Sequence, residues 1–155
     1  MQSKSLDAGF YLGLTFNNDG TKMYTVKADN GRGSSDAVIE HILTTPYDIS
    51  TATVNNTKIV FISGGAADTQ ATQVVFNNDG TKMFIVNHAG RKKVDYYSLS
   101  TAFDVSTATR DGEYSIAGQE QRANSIAFNN DGTRMVVAGV GNLISQVRIL
   151  SLIHI

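Results

Sequence analysis

The sequence predicts an all-β protein built from repeated sheets, and three nearly identical stretches carry that prediction. Each stretch holds Phe, an Asn-Asn-Asp-Gly segment, Thr, a basic residue and Met, and the copies span residues 16–23, 76–83 and 128–135. They recur at intervals of about 50 to 60 residues, a spacing typical of repeat arrays whose unit is one small sheet. Apolar runs rich in β-branched and aromatic residues flank every copy, which indicates strands on both sides.

The Asn-Asn-Asp-Gly segment of each copy predicts a tight turn. Asn and Asp side chains bond back to their own backbone, and Gly accepts a positive φ without a Cβ clash. We expect a four-residue hairpin loop built on a type I turn, with positive φ at Gly20, Gly80 and Gly132. A calcium loop is the alternative interpretation of the same Asn and Asp residues. It requires a bidentate Glu downstream, which is absent from the sequence after these segments.

The aromatic residue that opens each copy predicts how neighbouring sheets pack. Phe16, Phe76 and Phe128 each stand at the end of an apolar run, immediately before the turn. We expect each of them to end the innermost strand of its sheet and to point into the packing between sheets.

A second repeated block completes the unit. Residues 38–53 match residues 94–109, and each block predicts an alternating third strand followed by an aromatic-Asp-apolar-Ser-Thr-Ala-Thr connector. Fourth strands are predicted at residues 58–62 and 113–117. Four antiparallel strands per repeat make the blade of a β-propeller. The predicted fold is therefore a β-propeller fragment with two complete four-stranded antiparallel blades and most of a third.

The Phe-x-x-Asp-Gly-Thr-Lys-Met signature, with the apolar run after it, resembles the blade motif of the broad seven-bladed family that contains YVTN-type and lactonase-like propellers. The connector at residues 99–108 is similar to propeller repeats of environmental and phage-associated proteins, which are labelled structural or hypothetical. The resemblance covers nearly the whole chain. It implies the propeller fold and, through the narrower group, a structural or interaction role.

The repeats predict blade boundaries along a single partial domain. Blade 1 spans about residues 11–62, blade 2 about 73–117, and a partial blade 3 about 124–149. Propellers close with typically four to eight blades, and each blade needs neighbours on both faces. We therefore expect the chain to be a fragment of a longer protein. We expect the fragment alone to be poorly soluble or to self-associate through its open faces.

The last six residues also indicate that the chain is a fragment. Residues 150–155 are identical to the translation of a transposase adapter used in sequencing libraries, and we expect a tail of that origin. The alternative is native third-strand sequence, because residues 150–152 align with residues 97–99. Residues 153–155 do not match residues 100–102, which favours the adapter.

Composition excludes several classes of function. The formal net charge of −1 favours neither nucleic acid nor an anionic membrane as partner. The chain has no Cys, which removes disulfides, thiolate catalysis and Cys-based metal sites. No apolar run approaches the length that spans a bilayer, roughly 18 residues, so membrane insertion is not expected. The first residues lack the apolar core of a signal peptide, and the sequence does not assign the protein to a cellular compartment.

No catalytic, cofactor-binding or metal-ligating residues are predicted. His41 lies in a predicted strand, His88 in a predicted loop and His154 in the tail, without metal-ligand spacing. The glycine pairs of residues 31–33 and 139–141 are interpreted as loops, because no helix follows that would bind phosphate. The basic residues 91–93 are interpreted as a solvated turn.

Residues that recur in every blade are expected to serve the blade. They are the Asp of each turn, together with Tyr47, Phe103, Asp48 and Asp104.

Two functions remain after this sequence analysis. The first is a non-catalytic interaction or structural module, such as part of a phage virion or a surface protein. Its expected partners are a protein or a surface glycan bound through the propeller loops, and the remaining blades of its own longer chain. The alternative is a lactonase-like propeller enzyme whose active-site blades are missing from this fragment.

Overall fold

A computed structural model describes residues 3–28, 36–60, 69–89, 92–117, 122–129, 134–140 and 145–151 of the chain. These residues form three antiparallel sheets in chain order, with two single-turn 3₁₀-helices in the connectors. The predicted fold class is confirmed. No helix within these ranges has the length and apolarity to cross a bilayer.

Sheets 1 and 2 share one plan, in which four strands follow each other across the sheet and a 3₁₀-helix precedes the fourth. The elements of sheet 1 are β1 (Phe10–Phe16), β2 (Lys22–Ala28), β3 (Asp36–Leu43), the 3₁₀-helix Ile49–Thr51 and β4 (Ala52–Val60). Those of sheet 2 are β5 (Thr69–Phe76), β6 (Lys82–Ala89), β7 (Lys93–Leu99), the 3₁₀-helix Val105–Thr107 and β8 (Ala108–Ser115). Sheet 3 contains β9 (Ala123–Phe128), β10 (Arg134–Val140) and β11 (Ser145–Ser151).

The fourth strands begin earlier than predicted. β4 starts at Ala52 and β8 at Ala108, inside the stretch assigned to the connectors, and they end at Val60 and Ser115. The reason is the ladder with the third strand, because Ala52 pairs with Leu43 and Ala108 with Leu99.

The predicted turns are present in both complete sheets. Gly20 has a φ of 72° and Gly80 a φ of 71°, whereas Gly132 lies outside the described residues. Gly20 N–H donates to Asn17 O at 3.2 Å, which closes the turn. The Asp19 carboxylate accepts from the Thr21 backbone at 3.0 Å and from the Thr21 hydroxyl at 2.6 Å. These bonds hold the pKa of Asp19 below its usual value.

A second left-handed residue faces each turn glycine, and the sequence did not indicate it. Tyr47 has a φ of 59° and Phe103 a φ of 58°. A positive φ is uncommon for a bulky residue. The Tyr47 backbone donates to Gly20 O and the Phe103 backbone to Gly80 O, both at 2.9 Å. The aromatic residue therefore recurs in the sequence because its backbone joins the connector to the hairpin turn by a hydrogen bond.

Each first strand carries a β-bulge at the same place, four residues before its terminal Phe. The pairing register skips Leu12 in β1, Thr72 in β5 and Asn124 in β9. A bulge bends a strand and increases its twist, so all three first strands bend alike. Next to the first bulge, Gly13 approaches β5 closely: a Cβ there would lie 2.5 Å from Thr72 O. Contacts of β1 with β5 and of β5 with β9 make the first strands neighbours.

The core consists of two layers between successive sheets. The layer between sheets 1 and 2 is apolar and fully buried at its centre. It contains Tyr24, Val26 and Val38 from sheet 1 and Val74, Met83 and Ile85 from sheet 2. The layer between sheets 2 and 3 contains Phe84, Val86 and Val94 from sheet 2 and Ile126, Met135 and Val137 from sheet 3.

The three terminal Phe residues are half-buried against these layers. Phe76 packs on Tyr24 of the preceding sheet with ring centroids 4.5 Å apart, and Phe128 packs on Phe84 in the same way at 4.5 Å. The predicted inward orientation is therefore confirmed for these two. Phe16 packs on Tyr47 of its own sheet at 5.3 Å, because no described sheet precedes sheet 1.

Candidate functional site

Three side chains of sheet 1 bind the backbone of the connector that leads into β8. Tyr24 Oη and Lys22 Nζ both donate to Phe103 O, at 2.7 and 2.8 Å. Glu40 Oε2 accepts from Val105 N–H at 3.0 Å. We name Lys22, Tyr24 and Glu40 the connector clasp, since together they join sheet 1 to the connector of sheet 2.

Glu40 is the centre of the clasp. It lies on β3 opposite Tyr24, and its residue is 0% exposed. Its Oε1 is 3.1 Å from Lys22 Nζ and accepts from Asn55 Nδ2 at 2.7 Å. Asn55 occupies a bulge of β4, where the register skips one residue. A carboxylate tolerates burial when it is paired and hydrogen-bonded, and Glu40 meets both conditions.

Burial within the clasp keeps the Tyr24 phenol protonated. Burial raises the pKa of its phenol well above the usual value, and the charges of Glu40 and Asp104 add to that rise. The hydroxyl therefore remains a donor to Phe103 O across the accessible pH range.

The contact between sheets 2 and 3 lacks a clasp in the part of the chain that is described. In sheet 2 the places of Tyr24 and Glu40 are taken by Phe84 and Tyr96. Lys82, which corresponds to Lys22, instead donates to Ser98 Oγ at 3.3 Å. Tyr96 stacks on Tyr114 with ring centroids 4.7 Å apart.

A second buried acid lies on the face of sheet 2 that meets sheet 1. Asp95 is 2% exposed, and its Oδ1 accepts from Arg110 Nε at 2.9 Å and from Arg110 Nη2 at 2.5 Å. Asp95 Oδ2 accepts from Asn87 Nδ2. Arg110 Nη2 also donates to Glu113 at 2.8 Å, and Lys93 bonds to the same Glu. The hydrogen bonds that Arg110 donates to Asp95 raise the pKa of the Arg110 guanidinium.

Asn87 leaves one unsatisfied atom in this second cluster. The residue is 0% exposed, and its Oδ1 is the buried side-chain acceptor without a partner among the described residues. Its amide nitrogen is committed to Asp95, so the oxygen has a fixed direction. One unsatisfied acceptor accommodates a single donor such as a water molecule.

In both clusters the carboxylate is paired with a cation and accepts from an amide donor. Within the described residues, no group of three or more His, Asp or Glu side chains converges to bind a metal ion.

The structure places the residues weighed in the sequence analysis apart from one another. His41 is buried in β3, and its Nε2 lies 3.0 Å from Thr25 Oγ1. The backbone of His88 lies in β6 opposite Gln70, so its assignment to a loop is wrong: β6 continues its ladder with β5 to the end. His154, with the rest of residues 152–155, and the glycine pair of residues 31–33 lie outside the described residues.

Two further loop assignments change. Gly139 and Val140 belong to β10, where Gly139 pairs with Gln146, so their assignment to a loop is wrong. Lys93 opens β7, and Lys92 precedes it with a φ of 50°, whereas Arg91 is outside the described residues.

Sequence reasoning missed the buried acids, although a signal exists for Glu40 and for Asp95. Glu40 stands inside the apolar run Val38–Leu43, and Asp95 stands between Val94 and Tyr96. A charged residue at an inward position of a strand requires a partner, which marks both sites for inspection.

Comparison with known proteins supports the fold. A protein assigned as a 6-phosphogluconolactonase from Bacteroides uniformis is similar with a TM-score of 0.64 and 12% identity, over 97% of this chain and 40% of that one. The periplasmic gluconolactonase of Pseudomonas aeruginosa is similar with a TM-score of 0.58 and 15% identity, over 90% and 42%. A Swd1 β-propeller domain from Myceliophteria thermophila gives 0.55 and 9%, over 93% and 40%.

The three sheets are part of a β-propeller. The chain spans about two fifths of the length of these solved propellers. No family model matches the sequence, and no curated protein matches it either. At sequence identities this low, the structural similarity shows the fold alone, because propellers with different activities share that fold.

Proposed function

We propose that the chain is a non-catalytic β-propeller module that binds a protein or glycan partner through the loops at its strand ends. The observation that carries this proposal is the set of contacts made by the Glu40 carboxylate. Its carboxylate is held by Lys22, Asn55 and the Val105 backbone, and its role is to join two sheets. A carboxylate that is 0% exposed and engaged in this way is not accessible to a substrate.

Three further acids with resolved contacts support the same proposal. Asp95 is held by Arg110 and Asn87. Asp48 and Asp104 cap the two 3₁₀-helices, because each accepts from the backbone of the Ser two residues later, at 3.0 and 2.9 Å. These contacts stabilise the scaffold on which propellers present their binding loops.

A lactone-hydrolysing enzyme is the second candidate. Two of the three solved structures named above carry lactonase names, and the structural similarity to them favours this candidate. The reactive groups would then come from parts of a propeller ring beyond the residues described.

A lactonase assay separates the two candidates. Hydrolysis of glucono-δ-lactone and of 6-phosphogluconolactone is followed at neutral pH with the purified chain, with heat-denatured chain and with buffer alone. We expect equal rates in all three samples. A faster rate with the folded chain than with the heat-denatured chain and buffer, with folding checked by circular dichroism, would favour the enzyme. Saturable binding to an immobilised panel of bacterial surface polysaccharides is the positive readout for a glycan partner.

A further inference from the structure

A buried amide of sheet 2 carries an acceptor that no group among the described residues satisfies. Asn87 is 0% exposed, and its Oδ1 has no hydrogen-bond partner within those residues. Its Nδ2 donates to Asp95, so reversing the amide would bring two acceptor oxygens together. Asp95 therefore fixes the orientation of the amide. A buried acceptor without a donor is costly, which favours a bound donor at Oδ1.

A buried acid of sheet 1 reaches the same place. Asp36 opens β3, is 4% exposed and accepts from the Ala71 N–H through its Oδ2. Ala71 is the ladder partner of Asn87, so both side chains lie on the face of sheet 2 that meets sheet 1. Paired residues of an antiparallel ladder have Cα atoms about 4.5–5.5 Å apart. The Asp36 carboxylate and the Asn87 amide are therefore both close to Ala71.

This polar contact lies at the end of the inter-sheet layer opposite the connector clasp. Asp36, Val38 and Glu40 alternate along β3 and share the face toward sheet 2. Glu40 accepts from Val105 at the connector end, and Asp36 accepts from Ala71 at the other end. Two buried acids of one strand thus flank the apolar centre of the layer. The second of them lies beside the unsatisfied amide oxygen.

The amide is particular to the second repeat. The ladders place Lys27 in sheet 1 and Gly139 in sheet 3 where sheet 2 has Asn87. Lys27 donates to Asp7, and Gly139 has no side chain. The unsatisfied oxygen is therefore not a feature that every blade requires, and the three described sheets contain one site of this kind.

The ligand of this site is a small hydrogen-bond donor. A buried water molecule makes about three hydrogen bonds to polar groups. Asn87 Oδ1 supplies one acceptor, and Asp36 supplies another, because a carboxylate has about four acceptor sites and can accept from several donors. A monovalent cation also binds oxygen atoms. Arg110 already pairs with Asp95 beside the amide, and its positive charge disfavours a second cation there.

We propose that one buried water molecule binds at Asn87, donating one hydrogen to its Oδ1 and the other to the Asp36 carboxylate. The water joins sheet 1 to sheet 2 at the end of the layer that the connector clasp does not reach. It also satisfies the Asn87 amide in the orientation that serves Asp95.

Cross-relaxation between water and protein tests the proposal. In a rotating-frame NMR experiment on the isotope-labelled full chain, we expect a cross-peak between water and the Ala71 methyl group. Ala71 is 0% exposed and its methyl protons do not exchange, so surface water does not produce this signal. Asn87→Leu removes the acceptor and should abolish the cross-peak. Gln70→Leu makes the same chemical change on the opposite face of β5 and should retain it.

The other outcomes overturn the proposal. A parent protein without the cross-peak would show that the site is dry, and a cross-peak that survives in Asn87→Leu would place the water elsewhere. Thermal unfolding in potassium chloride and in choline chloride at equal ionic strength tests the cation. We expect equal midpoints, and a higher midpoint in potassium would assign the site to a cation instead. Circular dichroism checks folding, and Asn87→Met, a more flexible apolar replacement, serves if Asn87→Leu does not fold.

Discussion

The ring of Phe103 lies directly against Gly80, so a Cβ added to that glycine would overlap the ring. The same relation holds for Tyr47 and Gly20. In each pair the aromatic backbone N–H donates to the glycine carbonyl at 2.9 Å. Glycine is required twice at these positions, once by its positive φ and once by the ring.

Replacing Gly80 with Ala should therefore destabilise the protein beyond the backbone penalty alone. The left-handed conformation costs roughly 1–2 kcal/mol for a residue with a Cβ, and displacement of the ring adds to it. Urea unfolding of Gly80→Ala, measured in the parent and in a Phe103→Gly background, separates the two effects. A loss equal in both backgrounds would show that the ring contributes nothing.

Removing the Glu40 carboxylate should be strongly destabilising. Glu40→Leu leaves Lys22 and the Val105 N–H without their acceptor, and breaking a buried pair costs about 3–5 kcal/mol. The Lys22 side chain is partly exposed, so its own part of that loss is reduced by solvent. Lys22→Met combined with Glu40→Leu should recover part of the free energy of unfolding. Thr57→Leu, at an exposed position of β4, is the surface control.

Phe76 should contribute more to stability than Phe16. Phe76 packs on Tyr24 at 4.5 Å and on Phe103 at 5.5 Å, whereas Phe16 contacts Tyr47, which is itself 54% exposed. Truncation of a buried Phe to Ala costs roughly 3–5 kcal/mol, and a half-buried ring approaches the lower end. Thermal and urea unfolding of Phe76→Ala and Phe16→Ala compare the two sites directly. Equal losses would contradict the packing described for the two rings.

Stability should fall as the solution becomes acidic because of His41. Burial lowers the pKa of its imidazole below the ordinary 6.5, the charge of Lys4 lowers it further, and Asp7 partly offsets both. Between the two pKa values His41 is protonated in the unfolded chain and neutral in the folded chain. Stability is therefore lost as pH drops below about 6.5 toward the pKa of the folded state.

His41→Gln, which retains a partner for Thr25, should flatten this pH dependence. Unfolding midpoints between pH 7.5 and 5 for both proteins measure the difference. An unchanged slope in the variant would assign the acid sensitivity to another group.

The local features of the fold follow from the sequence, and the long-range ones do not. Asn-Asn-Asp-Gly predicts the turn at Gly20 because the determinants lie within four residues. The left-handed Tyr47 could not be predicted, because aromatic residues rarely adopt this conformation and it depends on a hydrogen bond to the distant Gly20. The bond from Val105 to Glu40 joins positions 65 residues apart. Only the placement of two sheets side by side brings them together.

Sheet 1 carries Glu40 where sheet 2 carries Tyr96, and this difference affects which of the similar sheets pair during folding. Repeats with such similar sequences are prone to pairing out of turn during folding. The N–H that Glu40 accepts from belongs to Val105 in the connector of sheet 2, and the corresponding part of sheet 3 lies outside the described residues. A buried acceptor deprived of its donor costs about 1–3 kcal/mol. We therefore expect Glu40 to favour the pairing of sheet 1 with sheet 2 over any pairing that leaves its carboxylate without this donor.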